Sequence, residues 1–485
     1  MTIDDLADRL RTLLGDKRVI TDRQELRTYE CDGLAHYKVT PAVVALPHTA
    51  QECAAVVRAC VAAGVPYVAR GSGTGLSGGA LPRADGVLIV TSQMRTILAV
   101  APEDERAVVE PGVLNLQVTK AASPYGYYYA PDPSSQQICS IGGNVAENSG
   151  GAHCLKYGFT TNHVTGAEIV APDGELVRLG GRAPDAPGYD LLGAFVGSEG
   201  TLGIATEVTV RLVRLPEAVR TLLAAFGSTD LAGAATSAII AAGVVPAAVE
   251  MMDALAIEAA EAAVACGYPA GAGAVLIVEL DGPAADVEAQ FAEVRRLCED
   301  NGAFEIRIAA DDVERALFWK GRKSAFAAVG RISPDYIVQD GVIPRTALPE
   351  VLRRIGEVSA AHGVRVANVF HAGDGNLHPL VLFDDTVEGE ADRAEAVSGA
   401  IIDLCIEYGG SITGEHGVGM DKAKYMPRMF TAEDLDTMQL VRCAFDPDGL
   451  ANPGKIFPTP RLCGEVPGRH KGAHPLQEAG VAEVF

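Results

Sequence analysis

Two textures divide the chain. The first half sets short apolar runs between glycine-rich loops, and the second half alternates alanine-rich stretches with longer apolar strands. Residues 1–40 predict a helix followed by an irregular segment. Pro41 to Pro47 reads as a short buried strand bounded by prolines. Thr49 with Glu52 spells a capping box, and Gly64 closes the Ala/Val-rich run behind it, so a helix spans the interval. Strands are expected at Val65–Ala69 and Val87–Thr91, at Val108–Val113 before a turn and a further helix, and at Ala205–Leu212. Beyond Pro216, Ala-rich helices alternate with runs such as Ala274–Leu280, which predicts a separate α+β unit with its own antiparallel sheet. Leu231–Val249 carries no charge, but Thr236, Ser237 and Pro246 interrupt it; it reads as core, not as a membrane span.

The loops between these strands carry the chemistry of the first half. Arg70-Gly71-Ser72-Gly73-Thr74-Gly75-Leu76-Ser77-Gly78-Gly79 holds five glycines in ten residues, which lets several backbone N–H groups converge on an anion. Gly73-x-Gly75-x-x-Gly78 also spells a dinucleotide fingerprint, which requires a helix directly after it. Here a turn, Leu81–Gly86, and another strand follow, so a pyrophosphate held by loop amides between two strands is preferred over a nicotinamide site. A second cassette, Ile141–Gly151, preceded by Pro131-Asp132-Pro133, lacks apolar bulk and suits a flat ligand lying against backbone, with tight turns as the alternative. A third cassette is Val196–Ile204.

Composition narrows the partners. A chain of 485 residues with 48% hydrophobic content suits two or three domains. A net charge of −23 disfavours nucleic acid and anionic membrane, so a small anionic substrate needs a local positive site. The acidic N-terminus lacks the basic and apolar regions of a signal peptide. Ten scattered cysteines with no Cys-x-x-Cys pair point to a reducing cytoplasm and away from thiolate-held clusters or zinc.

The second half carries the ionisable motifs. Phe318–Lys323 is a basic knot around the single tryptophan, and the planar guanidinium of Arg322 is a natural clamp for a carboxylate. In Asn368–His378, Asp374-Gly375 predicts a hairpin whose closure sets His371 and His378 about 5 Å apart between Cα atoms. Two histidines make an incomplete metal site, and Gly414-Glu415-His416-Gly417 offers the missing ligand. If that segment is extended, Glu415 and His416 point to opposite faces, one toward a metal and one toward a substrate. Two imidazoles and a carboxylate suit zinc, with manganese and iron as alternatives.

In order and content the three glycine cassettes resemble the flavin domain of the vanillyl-alcohol oxidase type flavoproteins. The resemblance implies an α+β chain: a two-subdomain FAD-binding domain over 1–215, a cap carrying the metal site over 216–440, and a segment 441–485 that returns to the FAD domain and ends in a loose tail from Thr459. Arg70, Gly71, Ser72, Gly73, Thr74, Gly75, Leu76, Ser77 and Gly78 would then wrap the FAD pyrophosphate. Pro131, Asp132, Gly142, Gly143, Asn144, Ser149 and Gly150 would surround the isoalloxazine and ribityl region, and Glu199, Gly203 and Ile204 would reach the adenine side, with Asn452 also at the cofactor. His153, just past the second cassette, is read as pocket lining. His371–His378, Gly414–Gly419 and Asn452–Phe457 look like the subgroup that oxidises D-2-hydroxy acids, and Trp319–Lys323 leans toward the FAD-linked subunit of bacterial glycolate oxidase.

That likeness implies His371, His378 and Glu415 as metal ligands, His416 as base, Arg322 as carboxylate anchor and Asn376 as an orienting residue. Phe326 replaces a small polar residue of hydroxyglutarate-oxidising relatives, which favours a small or apolar substrate such as glycolate or D-lactate. Reduced flavin then needs an external acceptor, such as an iron–sulfur subunit or a cytochrome, which could also bring a cytoplasmic protein to the inner face of a membrane. The alternatives are a non-catalytic flavin-binding subunit and a nicotinamide-dependent Rossmann dehydrogenase.

Overall fold

The Ala/Val-rich run forms a helix over Ala50–Ala63 because Thr49 caps its start and Gly64, at φ +65°, supplies the left-handed turn that ends it. The expected capping box is only half made. The Glu52 carboxylate turns instead to the His48 amide and to Arg18, where a charged partner outweighs closure on the cap residue. This helix packs in the core beside a four-stranded sheet ordered Val19–Ile20, Val43–Ala45, Val87–Val90, Tyr67–Arg70, in which the last three strands run parallel. The glycine loop leaves the end of Tyr67–Arg70 and rejoins the sheet at Val87–Val90 with no helix between them, as the turn at Leu81–Gly86 predicts. The computed structural model describes residues 1–35, 37–181, 183 and 188–458; the expected loose tail from Thr459 lies outside the described residues.

A second, five-stranded antiparallel sheet follows, ordered Ile97–Ala101, Arg106–Val109, Ile204–Arg211, Val164–Val170, Leu176–Gly180. The second cassette is not a set of tight turns. Ile141–Glu147 is a short helix, held by the buried apolar side chains of Ile141 and Val145 and ended by Asn148 at φ +54°.

The second half is built on an antiparallel sheet of longer strands, among them Ala218–Phe226, Ala248–Asp253, Ala274–Gly282 and Val366–His371. Each of its faces buries a separate apolar core. Leu231–Val249 resolves into the helix Thr229–Ala241 and the start of the strand Ala248–Asp253, and no helix among the described residues is long and apolar enough to cross a membrane. The chain finally returns to the first sheet. Ala451 bridges Tyr67, and the Asn452 amide donates to the Tyr67 carbonyl. Mixed α and β structure in this arrangement is the α+β fold that the sequence implies.

Candidate active site

The glycine cassettes and the histidine motifs open onto one cavity of about 1190 Å³. Arg70, Gly71, Ser72, Gly73, Thr74, Gly75 and Leu76 line it, as do Gly142, Gly143, Asn144, Ser149, Glu199, Gly203 and Ile204. From the second half, Phe326, Gln339, His378, Glu415 and His416 reach the same space. A Cβ on Gly71 would strike Ser140 Oγ, whose own hydrogen bond comes from the Ser72 amide, so the cradle needs its missing side chain there. These residues fit FAD: a cavity walled largely by backbone, with the buried Glu147 carboxyl beside Gly75 and Gly79.

Other expected cofactor residues sit behind the wall and support it. Ser77 is fully buried, and its carbonyl accepts the Met420 and Asp421 amides, while Gly78 packs on Met420. Asn452 donates to the carbonyls of Gly79 and Glu199 and so ties two cassettes together. The Pro131 carbonyl accepts from Asn115, and Gly150 faces Glu415 and Phe159. Asp132 is paired with His153, and neither is part of the cavity lining. His153 is therefore corrected from pocket wall to a contact between the two halves of the chain.

Sequence reading missed Gly33, which packs on the Thr74 and Gly75 carbonyls, and the Glu147–Glu199 pair. Burial lifts Glu147 well above the usual carboxylate range, with Glu199 adding to it, and burial brings Glu199 to about 7 against the amides of Val418 and Gly419. Glu199 thereby joins the third cassette to the loop that carries Glu415 and His416.

In the second half the hairpin forms, but one residue pair differs. His371 stands opposite Asn376, and His378 lies beyond the short strand Asn376–Leu377. Convergence happens at the side chains. His371 Nε2 lies 3.4 Å, and His378 Nε2 3.1 Å, from the same Glu415 Oε1. The outer nitrogens are anchored: His371 Nδ1 at 2.7 Å from Glu250 Oε1 and His378 Nδ1 at 3.4 Å from the Gln339 carbonyl. An anchored Nδ1 leaves Nε2 as the free donor atom, which is how ligand histidines are oriented.

Gly414–Gly417 is not extended, so the opposite-face expectation for Glu415 and His416 does not hold. The loop is wound around the Asp340 carboxylate, which accepts from the amides of Gly414, Glu415 and His416, from Thr413 Oγ1 and from Lys422 Nζ. Both side chains consequently turn inward. Asp340, His378, Glu415 and His416 offer ligand atoms within 4.8 Å of one another, and the rings of His378 and His416 stack at 5.1 Å. Asp340, already saturated with donors, shapes the loop.

Electrostatics sharpen the division of roles. Burial opposes charge on His371, yet Glu250 and Glu415 hold it well above its usual range. Burial drives His416 down to about 4 despite Asp340, helped by His378 and Lys422, so its imidazole is neutral. Glu415 Oε2, His416 Nδ1 and Asn376 Oδ1 are buried without a hydrogen-bond partner, a set of donor atoms that fits a cation with a substrate beside it.

Arg322, from the helix Asp312–Val329, is 2% exposed and lies 2.7 Å from Glu250 Oε2. Glu250 therefore holds the expected anchor and His371 at once, while Arg322 Nε keeps no partner. Phe326, one turn on, stacks edge-on with His378 at 6.0 Å and lies 5.7 Å from the Arg322 guanidinium. Asp340 and Glu250 escaped the sequence reading. A carboxylate between the apolar neighbours Val249 and Met251 of the strand Ala248–Asp253 was the one available signal for Glu250.

Residues 41–180 match the family described as FAD binding domain, and 215–456 match FAD linked oxidases, C-terminal domain. The chain is 50% identical over 461 residues to glycolate oxidase subunit GlcD of Escherichia coli, covering 95% of this chain and 92% of that one. It is 38% identical to GlcD of Bacillus subtilis, covering 94% and 97%, and 30% identical to the mitochondrial cytochrome D-lactate dehydrogenase of Arabidopsis thaliana, covering 95% and 81%. Among solved structures, 4-ethylphenol oxidase from Gulosibacter chungangensis superposes with a TM-score of 0.77 at 17% identity, covering 94% and 97%. For p-cresol methylhydroxylase the TM-score is 0.74 at 17%, covering 93% and 96%. Matched along nearly its whole length, the chain belongs to the FAD-linked oxidases, in the group that contains glycolate oxidase subunit GlcD and D-lactate dehydrogenase.

Proposed function

We propose that this oxidoreductase converts a small 2-hydroxy acid, glycolate or D-lactate, to the 2-oxo acid. The observation that carries the reading is the shared cavity: the glycine cradle and the Glu415–His416 loop face one space, with His371 and His378 aimed at one carboxylate oxygen. In that reading 1–215 holds FAD, 216–440 is the cap, and 441–485 returns to the FAD domain. When bound, FAD supplies the hydride acceptor. A divalent cation, zinc by its donor set with manganese or iron as alternatives, supplies the charge that lowers the pKa of the substrate hydroxyl.

The residues then have separate tasks. His371, His378 and Glu415 hold the cation, with Glu250 and the Gln339 carbonyl fixing the two rings. Arg322 Nε takes the carboxylate, and Asn376 orients the hydroxyl or the ring. Neutral His416 receives the hydroxyl proton at a ring nitrogen. Phe326 fills the space a second carboxylate would need. Electrons leave to an external acceptor such as an iron–sulfur subunit or a cytochrome, in the cytoplasm or at the inner face of a membrane.

Anaerobic bleaching of the flavin by a panel of 2-hydroxy acids tests the reading, with glycolate or D-lactate expected to bleach fastest. His416→Ala is expected to cut the bleaching rate by about 10²- to 10⁴-fold while the protein stays yellow. Unchanged bleaching in that variant overturns the role given to His416.

A further inference from the structure

Arg315, Trp319, Arg322 and Phe326 fall four, three and four residues apart and so share one stripe of the helix Asp312–Val329. The last two serve the site above. The first two, two turns earlier, meet a second constellation that no step uses.

Its centre is His153, from the first half of the chain. Nδ1 lies 2.9 Å from Asp132 Oδ2, and Nε2 lies 3.4 Å from Glu279 Oε1 in the second half. The imidazole stacks on Trp319 at 5.8 Å and 29°. Glu279 is 2% exposed, between the buried Val278 and Leu280 of the strand Ala274–Gly282. Besides His153 it accepts from Thr221 Oγ1 at 2.7 Å, Arg315 Nε at 2.9 Å, Arg315 Nη2 at 3.0 Å and Trp319 Nε1 at 2.8 Å. One turn beyond His153, the Tyr157 hydroxyl donates to Asp281 Oδ2 at 2.7 Å, and Lys156 pairs with the same side chain.

We propose that His153, Glu279 and Trp319 form a latch between the two halves that fixes the height of the Asp312–Val329 helix, and so of Arg322 and Phe326, over the cofactor cavity. His153 is thereby a positioning residue for the reaction, and the inference rests on the function proposed above. The physical reason lies in the kind of contact. An apolar interface tolerates sliding, whereas a buried carboxylate with four neighbours donating to it is satisfied in only one arrangement. Burial opposes charge on His153, but Asp132 and Glu279 outweigh it and keep the ring charged at neutral pH. A charged ring between two carboxylates resists sliding further.

The test compares FAD-loaded wild type with His153→Phe, Glu279→Gln and the double variant, reading the limiting rate of anaerobic bleaching by glycolate or D-lactate. A misplacement of about 1 Å costs about 100-fold in rate, so each single variant is expected to slow by that order with FAD retained. Because both break one latch, the double variant is expected to be no slower than the slower single one. Wild-type rates in the single variants, or multiplied losses in the double one, overturn the proposal, as does a lowered melting point with the rate intact. If His153→Phe purifies colourless, Glu279→Gln, which does not line the cavity, carries the rate test.

Failure of the oxidation reading appears separately, as wild type that no 2-hydroxy acid bleaches. The latch is then read from Trp319, the single tryptophan, whose emission should rise in both single variants once the charged ring no longer stacks on it; constant emission overturns the latch.

Discussion

The floor of the cavity and its roof are built by opposite means. The floor, from Gly71–Gly75, Gly142–Gly143 and Gly203, works largely through side chains that are absent, which leaves backbone facing the cavity. The roof, lined by His378, Glu415 and His416, is held from behind by side chains that are charged, buried and cross-linked: Glu250 to Arg322 and His371, and Asp340 to the loop of Glu415 and His416. A floor of this kind is damaged by adding atoms, and a roof of this kind by removing them.

The largest separation should come from the cation proposed above. Dialysis against a strong chelator is expected to slow substrate bleaching by about 100-fold or more, since a bound ion contributes several kcal/mol to such a step. Flavin absorbance should stay constant, and loss of both together would mean that floor and roof do not bind independently. Next in size is Glu250→Ala. It leaves the Arg322 guanidinium buried without its counter-charge, and breaking such a pair costs about 3–5 kcal/mol, readable in a denaturant titration. The same change frees the His371 ring, so cation affinity should fall by about 10- to 100-fold.

The floor is probed by Gly142→Ala. A Cβ there would stand 2.6 Å from Pro111 Cβ and 3.1 Å from the Pro111 carbonyl oxygen, so the short helix Ile141–Glu147 must shift. Overpacking of this kind costs about 1–3 kcal/mol, and FAD affinity should weaken to match, measured by fluorescence on reconstitution. Cation content should not change.

The same contrast explains what the sequence could tell. Glycine order is local, so the cassettes and their ligand class were readable from single stretches such as Arg70–Gly79. His371, His378, Glu415 and His416 were readable as residue types, but not their orientation. The opposite-face expectation failed because Asp340, some 75 residues away, gathers the amides of Gly414, Glu415 and His416. Nothing near Asp340 in the chain announces that role. Glu250 and Glu279 carried a fainter mark, each a carboxylate flanked by apolar residues in a strand, with partners set by sheet register and by the Asp312–Val329 helix. His153 was misread because its neighbour in sequence is a cofactor cassette while its neighbours in space are Glu279 and Trp319.

The smallest effect concerns the joint between floor and roof. His153 is raised to about 10 in the folded chain: burial works against the charge, and Asp132 and Glu279 prevail over it, with Arg315 the nearby cation on Glu279. An unfolded histidine titrates near about 6.5. The folded form therefore binds the proton more tightly, so the stabilisation is complete below about pH 6.5 and declines as pH rises to about 10. Lysines and tyrosines also titrate toward that upper limit, so the informative quantity is the melting-point difference between wild type and His153→Phe. That difference is expected to shrink between pH 7 and pH 10, by about 1 °C for each kcal/mol of lost charge pairing in a chain of 485 residues. A difference that stays level across that range would mean the imidazole holds the two halves together by its shape alone, and Glu279 would then be serving Arg315 and Trp319 rather than the joint.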